Sequence, residues 1–222
     1  MEKQKVIVLL SGGMDSVTAL YDSYNKYEVL CGLSFDYGSK HNYKELPFAR
    51  LHCDKLNIEH KIIDLKFMNE HFSSTLLQSG GDIPEGHYEA ENMKATVVPF
   101  RNGIMLAIAA GLGESTGAAG LVIAAHSGDH AIYPDCREDF LSSMSDAIKH
   151  GTYDNIKILR PFVHMSKTDI AIRGNELGID FSKTWSCYKG GDIHCGKCGT
   201  CVERIEAFEE AGLVDLTNYM NT

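Results

Sequence analysis

Apolar residues gather in short blocks along the chain, and the kind of block alternates. Residues 6–10 form a continuous apolar run stopped at once by Ser11-Gly12-Gly13, the mark of a buried strand. A helix is expected over 15–25 and a second strand over 29–35. Over 41–56, Leu46, Ala49, Leu51, Cys53 and Leu56 make a helical face that Pro47 should break early. Residues 61–65 read as a third, weaker strand. Residues 73–96, with Gly80-Gly81, Pro84 and Gly86, read as a long loop, and loops of that length are usually lids or binding segments.

Beyond it the pattern predicts a helix over 102–112, whose Ile104, Leu106, Ile108 and Leu112 are ordinary core, and a strand over 121–125. A helix over 138–150 and a short strand over 156–159, stopped by Pro161, come next. A helix over 166–177 takes Ser166 as its N-cap and Asp169 as the matching acid, and 202–210 closes the chain as a helix. Strands alternating with helices imply an α/β fold, a Rossmann-like parallel sheet with helices on both faces. Ligands on such sheets bind beyond the carboxyl ends of the strands. The loops to inspect are therefore 11–16, 36–41, 126–137 and 161–167.

Composition narrows the picture. With 222 residues, 44% of them hydrophobic, the chain suits one globular domain with at most a small appendage. Its net charge of −9 comes without a basic stripe, which argues against an intact nucleic acid as partner but leaves room for a local pocket for a small anion such as ATP. The first apolar run is too short for a signal segment or a membrane span, and no other stretch approaches spanning length, so a cytoplasmic location without membrane contact is expected. Of seven cysteines, Cys187, Cys195, Cys198 and Cys201 crowd together, and in a reducing compartment such a cluster argues for metal, not disulfides.

The turn Ser11-Gly12-Gly13-Met14-Asp15-Ser16 lies between a strand and a helix. Two glycines let backbone N–H groups approach an anion, and the helix N-terminus adds a favourable dipole. Ser11 and Ser16 offer hydroxyls to phosphate oxygens, and Asp15 a carboxylate to hold Mg²⁺ or orient the loop. The bland alternative is a glycine turn with a polar cap. Two other glycine strings fail: 191–198 nearly matches a Walker A pattern but has Cys198 where Ser or Thr should hold Mg²⁺ and no strand before it. Gly111, Gly113 and Gly117 end a helix instead of opening one.

In the cysteine cluster, Cys195-x2-Cys198-x2-Cys201 with Cys187 upstream offers four thiolates, a filled tetrahedral shell for one structural Zn²⁺ per chain. An iron–sulfur cluster and free cysteines are the competitors; His194 fits the spacing less well than Cys195. No His-Glu-x-x-His occurs among the ten histidines, and His126, Ser127 and Asp129 lack a nucleophile elbow, so neither a catalytic zinc nor a hydrolase triad is expected. Cys136 reads as a small buried residue.

The turn 11–16 resembles the SGGxDS signature of the PP-loop, or N-type, ATP pyrophosphatases. With Val98-Pro99-Phe100-Arg101-Asn102, the run Ser127–Arg137 containing Tyr133-Pro134-Asp135-Cys136-Arg137, and Trp185-Ser186-Cys187-Tyr188, nearly the whole chain resembles the 7-cyano-7-deazaguanine (preQ0) synthase family. That resemblance implies ATP-dependent conversion of 7-carboxy-7-deazaguanine and ammonia to the nitrile through an adenylated acid and an adenylated amide, in queuosine and archaeosine precursor synthesis. It also implies a homodimer. It implies roles for Arg101 and Arg137 against the substrate carboxylate or phosphates, for Lys167 near the α-phosphate, and for Asp135 and Asp129 at the purine-like ring or Mg²⁺. Tyr37 and His41 match the family, whereas Ser39 and Lys40 depart from its Tyr-Gly-Gln-Arg-His string. Residues 1–180 are expected to form the ATP-binding domain and 181–222 a zinc-binding segment packed on it. The rivals are a PP-loop tRNA-modifying enzyme, disfavoured by the acidic balance, and a relative that kept the scaffold but acts on another substrate such as a protein partner.

Overall fold

The computed structural model describes residues 3–220. Five parallel strands, β1 (Lys5–Leu9), β2 (Glu28–Asp36), β3 (Glu59–Asp64), β4 (Gly120–Val122) and β5 (Lys157–Leu159), form one sheet in the order β3-β2-β1-β4-β5. The chain works outward from β1 to β3, returns, and continues from β4 to β5. The reversal of direction falls between β1 and β4, and at such a point the loops diverge and leave a crevice.

Alternation along β1 explains the two faces. Ile7 belongs to one apolar core, with Leu33, Leu106 and Leu121, while Val6 and Val8 belong to the other, with Val17, Leu20 and Ile170. All are essentially without solvent contact, and each such aliphatic side chain stabilises the fold by about 1.5–3 kcal/mol. Helices α1 (Met14–Lys26), α2 (Asn42–Leu56) and α6 (Lys167–Glu176) supply the second core; α4 (Arg101–Thr116) and α5 (Glu138–Gly151) supply the first. Both layers expected from the sequence are present.

Two local expectations are corrected, and one short helix is added. Helix α2 is not broken by Pro47 but runs on to Leu56; Pro47 lies on its exposed side, where loss of one N–H is tolerated. A short helix α3 (Phe67–His71) opens the connection after β3. Strand β4 stops at Val122, and although Ile123 still donates its N–H to the Leu159 carbonyl at 3.0 Å, the chain then leaves the sheet. The capping box of α6 forms as the sequence predicts: the Ser166 hydroxyl accepts from the Asp169 N–H at 3.1 Å and Asp169 Oδ2 accepts from the Ser166 N–H at 2.8 Å. The apolar helical stretch Glu91–Thr116 is long enough to cross a membrane, but it joins a 3-10 turn to α4, and α4 gives Leu106 and Ala109 to the core.

The last helix, α7 (Gly199–Glu210), packs on α6. Trp185 and the four clustered cysteines share the core that holds Ile7 and Leu33, so this segment continues the main packing. Arg204, wholly buried, ties it down: its guanidinium donates to both Asp215 oxygens at 2.9 and 3.0 Å and to Thr184 Oγ1 at 2.8 Å.

Candidate active site

The crevice at the switch point is a cavity of about 1210 Å³, open mouth included. One wall is the turn after β1. There the Ser16 hydroxyl accepts from the Ser11 N–H at 3.1 Å and the Gly12 N–H at 3.2 Å, donates to the Gly13 carbonyl at 3.1 Å, and stands 3.0 Å from the Ser11 hydroxyl. Gly12 has φ +99°, and a Cβ there would stand 2.2 Å from the Glu45 carbonyl oxygen, so only glycine fits against α2. Gly13 is the N-cap of α1 and no side chain caps that end. The first-turn N–H groups of α1 therefore point the positive end of the helix dipole toward the cavity.

Lys167, first residue of α6, faces the same turn. Its Nζ lies 2.6 Å from Asp15 Oδ2 and 3.4 Å from Glu203 Oε2, the latter reaching in from α7. Burial pushes the ammonium down, but Asp15, Glu203 and Asp129 outweigh it and hold Lys167 above the usual lysine range. Burial pushes the Glu203 carboxyl up, against Lys167 and His126. Asp15 Oδ1 is buried and makes no hydrogen bond to described residues, so it can take up a cation or a proton donor; Glu203 Oε2 makes none either but already faces the Lys167 ammonium.

The opposite wall is aromatic and basic. Arg101 opens α4 behind Phe100, which holds the left-handed φ of +53°. Its Nη1 donates to the Tyr37 hydroxyl at 3.2 Å, and its guanidinium lies 5.6 Å from the centre of the Tyr37 ring. Burial pulls Arg101 down, yet Tyr37 and Asp135 hold it well above its ordinary value. Tyr88, from the long loop, donates to Asp129 Oδ1 at 2.8 Å; the Tyr133 and Tyr188 hydroxyls lie 3.3 Å apart. Burial raises all three phenols above the usual tyrosine range. Asp129 is pushed up by burial but drawn below its usual range by His126 and Lys167.

The long loop does not hang free. Glu85 bridges to Cys198, and the Gly86 N–H donates to the Lys197 carbonyl at 3.0 Å, which ties the loop to the cysteine segment.

The structure thus brings Ser11, Gly13, Met14, Asp15, Ser16, Lys167 and Arg101 to one cavity, with Gly12 shaping the turn behind it. It does not bring Asp135 or Arg137 there. Asp135 is buried and its Oδ2 accepts from the Asn102 N–H at 2.8 Å, so it caps the start of α4 and steadies Arg101 from behind. Arg137 is exposed, with its Nε donating to the His130 carbonyl at 2.9 Å. Glu45, Glu203 and Tyr88 are cavity or near-cavity residues that the sequence did not single out. Glu45 follows His41 by one helical turn, and that spacing is the signal in the sequence that points to it.

Behind the turn the sulfur atoms of Cys187, Cys195, Cys198 and Cys201 lie within 4.8 Å of one another, all buried, with Cys195 and Cys201 sulfurs 4.0 Å apart. Backbone N–H groups of Cys195, Lys197 and Cys198 point at these sulfurs at 3.3–3.4 Å. Four sulfur donors at this separation fit one tetrahedral metal ion with no open position. His194 takes no part; its Nε2 accepts from the Ser186 N–H at 3.1 Å.

A parallel sheet carrying this glycine-rich turn at its switch point, with a four-cysteine site behind it, is the architecture of a PP-loop enzyme. A family model described as "Queuosine biosynthesis protein QueC" matches residues 5–212, and the chain belongs to that family. It is 57% identical over 99% of both chains to a 7-cyano-7-deazaguanine synthase of Porphyromonas gingivalis. It is 51% identical to one of Desulfotalea psychrophila, over 96% of this chain and 98% of that one, and 48% identical to one of Methanoregula boonei, over 97% and 99%. Among solved structures, the U34-tRNA thiolase NcsA from Methanococcus maripaludis with its [4Fe-4S] cluster is similar at TM-score 0.54 and 15% identity, over 95% of this chain and 66% of that one. A 4-thiouridine synthetase–RNA complex with bound ATP is similar at TM-score 0.50 and 18% identity, over 94% and 53%. At these identities the likeness is one of fold.

Proposed function

We propose that this protein is a 7-cyano-7-deazaguanine synthase, which activates 7-carboxy-7-deazaguanine with ATP, converts it with ammonia to the amide, and activates the amide to give the nitrile. The observation that carries this is the convergence of the phosphate turn, Lys167 and Arg101 on one cavity, in a chain this similar to 7-cyano-7-deazaguanine synthases. A carboxylate oxygen and an amide oxygen are poor leaving groups, and transfer of AMP to each makes them good ones. The turn 11–16 binds the distal phosphates, Lys167 meets the α-phosphate and the departing pyrophosphate, and Arg101 receives the substrate carboxylate. Asp15 is the residue placed to meet Mg²⁺ arriving with ATP.

Residues 1–180 carry the nucleotide chemistry and 181–222 the metal, which we assign as zinc on Cys187, Cys195, Cys198 and Cys201. Held by four thiolates, it supplies folding energy and no reaction chemistry. The proposed assembly is a cytoplasmic homodimer, for which sedimentation in solution is the check. The function is tested by supplying ATP, ammonium and the carboxydeazaguanine: the nitrile should be found by mass, with AMP and pyrophosphate as coproducts. Oxygen label placed in the carboxylate should pass to AMP at both activations; label in inorganic phosphate would mean an acyl phosphate and overturn the mechanism.

A further inference from the structure

One carboxyl in the cavity has no part in the proposed grip on phosphate. Glu45, in the first turn of α2, lines the cavity with a side chain only 14% exposed. It stands beside the phosphate turn: a Cβ on Gly13 would lie 4.0 Å from its Oε1, and its own carbonyl is the atom against which Gly12 packs. None of the side-chain hydrogen bonds among the described residues ends on its carboxyl oxygens. His41, from the start of the same helix, holds Nε2 3.6 Å from Oε2. Arg101 faces it from α4 and Tyr37 from the loop after β2, but these two are bonded to each other. The carboxyl is largely covered yet still reachable from the cavity, so a donor that arrives with the substrate can meet it.

We propose that Glu45 is the general base for the nitrogen chemistry, accepting the protons shed when ammonia attacks the activated acid and when the activated amide becomes a nitrile. The inference rests on the function proposed above and deepens it. In the first turnover the ammonia lone pair forms the C–N bond, the C–O bond to AMP breaks with its electron pair, and one N–H proton goes to Glu45. In the second, the amide oxygen attacks the α-phosphorus, pyrophosphate departs, and a second N–H proton leaves to give the adenylated imidate. AMP then departs with the C–O electron pair as the last N–H proton leaves, closing the C≡N bond. Glu45 returns each proton to solvent.

The other candidates are less suited. Asp15 and Glu203 are engaged with the Lys167 ammonium, and Asp129 accepts from Tyr88. Burial and Arg101 push His41 down to about 3, which leaves it a poor proton acceptor. Burial, opposed by Arg101, pushes Glu45 up to about 8, a basicity matched to an attacking amine near neutral pH.

The test separates activation from nitrogen chemistry. Carboxydeazaguanine-dependent exchange of pyrophosphate into ATP, run without ammonia, reads activation alone; amide and nitrile formation are then followed across pH at fixed free ammonia. In Glu45→Gln, exchange should change by less than about threefold while amide and nitrile formation fall about 10²-fold or more, the low end of what a general base contributes. The wild-type rise in amide formation toward pH 8 should flatten, and Glu45→Asp should restore part of the loss. Exchange falling by the same factor as amide formation would make Glu45 a substrate-holding or structural residue and overturn the proposal, as would undiminished amide formation. Wild-type protein showing no exchange would remove the proposed function itself, and the base with it.

Discussion

Trp185 donates its backbone N–H to the Gly12 carbonyl at 3.0 Å, joining the segment that leads into the cysteine cluster to the glycine turn proposed to bind ATP. The contact is close on the next residue too, since a Cβ on Gly13 would lie 3.3 Å from the Trp185 carbonyl oxygen. With Glu203 reaching Lys167 from α7, the cysteine-bearing segment braces the proposed phosphate site from two directions.

Cys198→Ser should therefore lose the metal first and nucleotide binding as a consequence. Structural zinc in small domains contributes on the order of 10 kcal/mol of apparent folding free energy, so its loss should lower the melting temperature. Metal content per chain and thermal unfolding, with and without chelator, are the measurements. A metal-free variant with the wild-type melting temperature would refute the bracing role, and iron with sulfide in the wild type would refute zinc.

Ser16→Ala removes the hydroxyl on which the Ser11 and Gly12 N–H groups converge. ATP affinity should weaken by about 1.5–3 kcal/mol, the scale of a hydrogen bond to a charged group. Titration calorimetry with ATP checks this, and an unchanged Kd would place the nucleotide elsewhere.

Asp135→Ala and Arg137→Ala should part company, although the two residues are neighbours within one family string. The first leaves the Asn102 N–H without its 2.8 Å acceptor and should cost about 1–3 kcal/mol of stability, with Arg101 less well placed. The second removes an exposed side chain and should leave turnover near wild type. Denaturant melts beside steady-state rates distinguish them; a large loss of turnover in Arg137→Ala would bring that residue into the reaction.

Glu45 makes stability depend on pH. In the folded chain its carboxyl keeps its proton to about pH 8, against an ordinary value of 4.5. Between those values the unfolded chain releases a proton that the folded chain retains, so stability falls as pH rises from 4.5 to 8 and stays at the lower level above. Glu45→Gln is free of this penalty. It should match wild type near pH 4.5 and exceed it at pH 8 and above by on the order of 3 kcal/mol. Equal melting curves at both pH values would show that the carboxyl is not held up.

Most of the architecture was legible because its signals are local. The apolar run before Ser11, the Ser166–Asp169 box and the cysteine spacing each fix their own element within a few residues. What escaped depends on contacts between distant segments. Nothing around Glu203 says that α7 will place it 3.4 Å from Lys167, and only folding shows that Asp135 turns to the start of α4 while Arg101, on that same helix, turns to the cavity. Pro47 misled because the rule that prolines end helices says nothing about which side faces water.

The absence of a side chain at Gly12 has a consequence for redesign. With the glycine turn pressed against the Glu45 carbonyl, any shift of α2 made to admit a larger acid would be transmitted to the turn at once, so on the proposed reading selectivity and ATP affinity cannot be tuned separately from that side. Variation aimed at new substrates is better directed at the Tyr88 side chain, which lines the cavity from the long loop and not from α2.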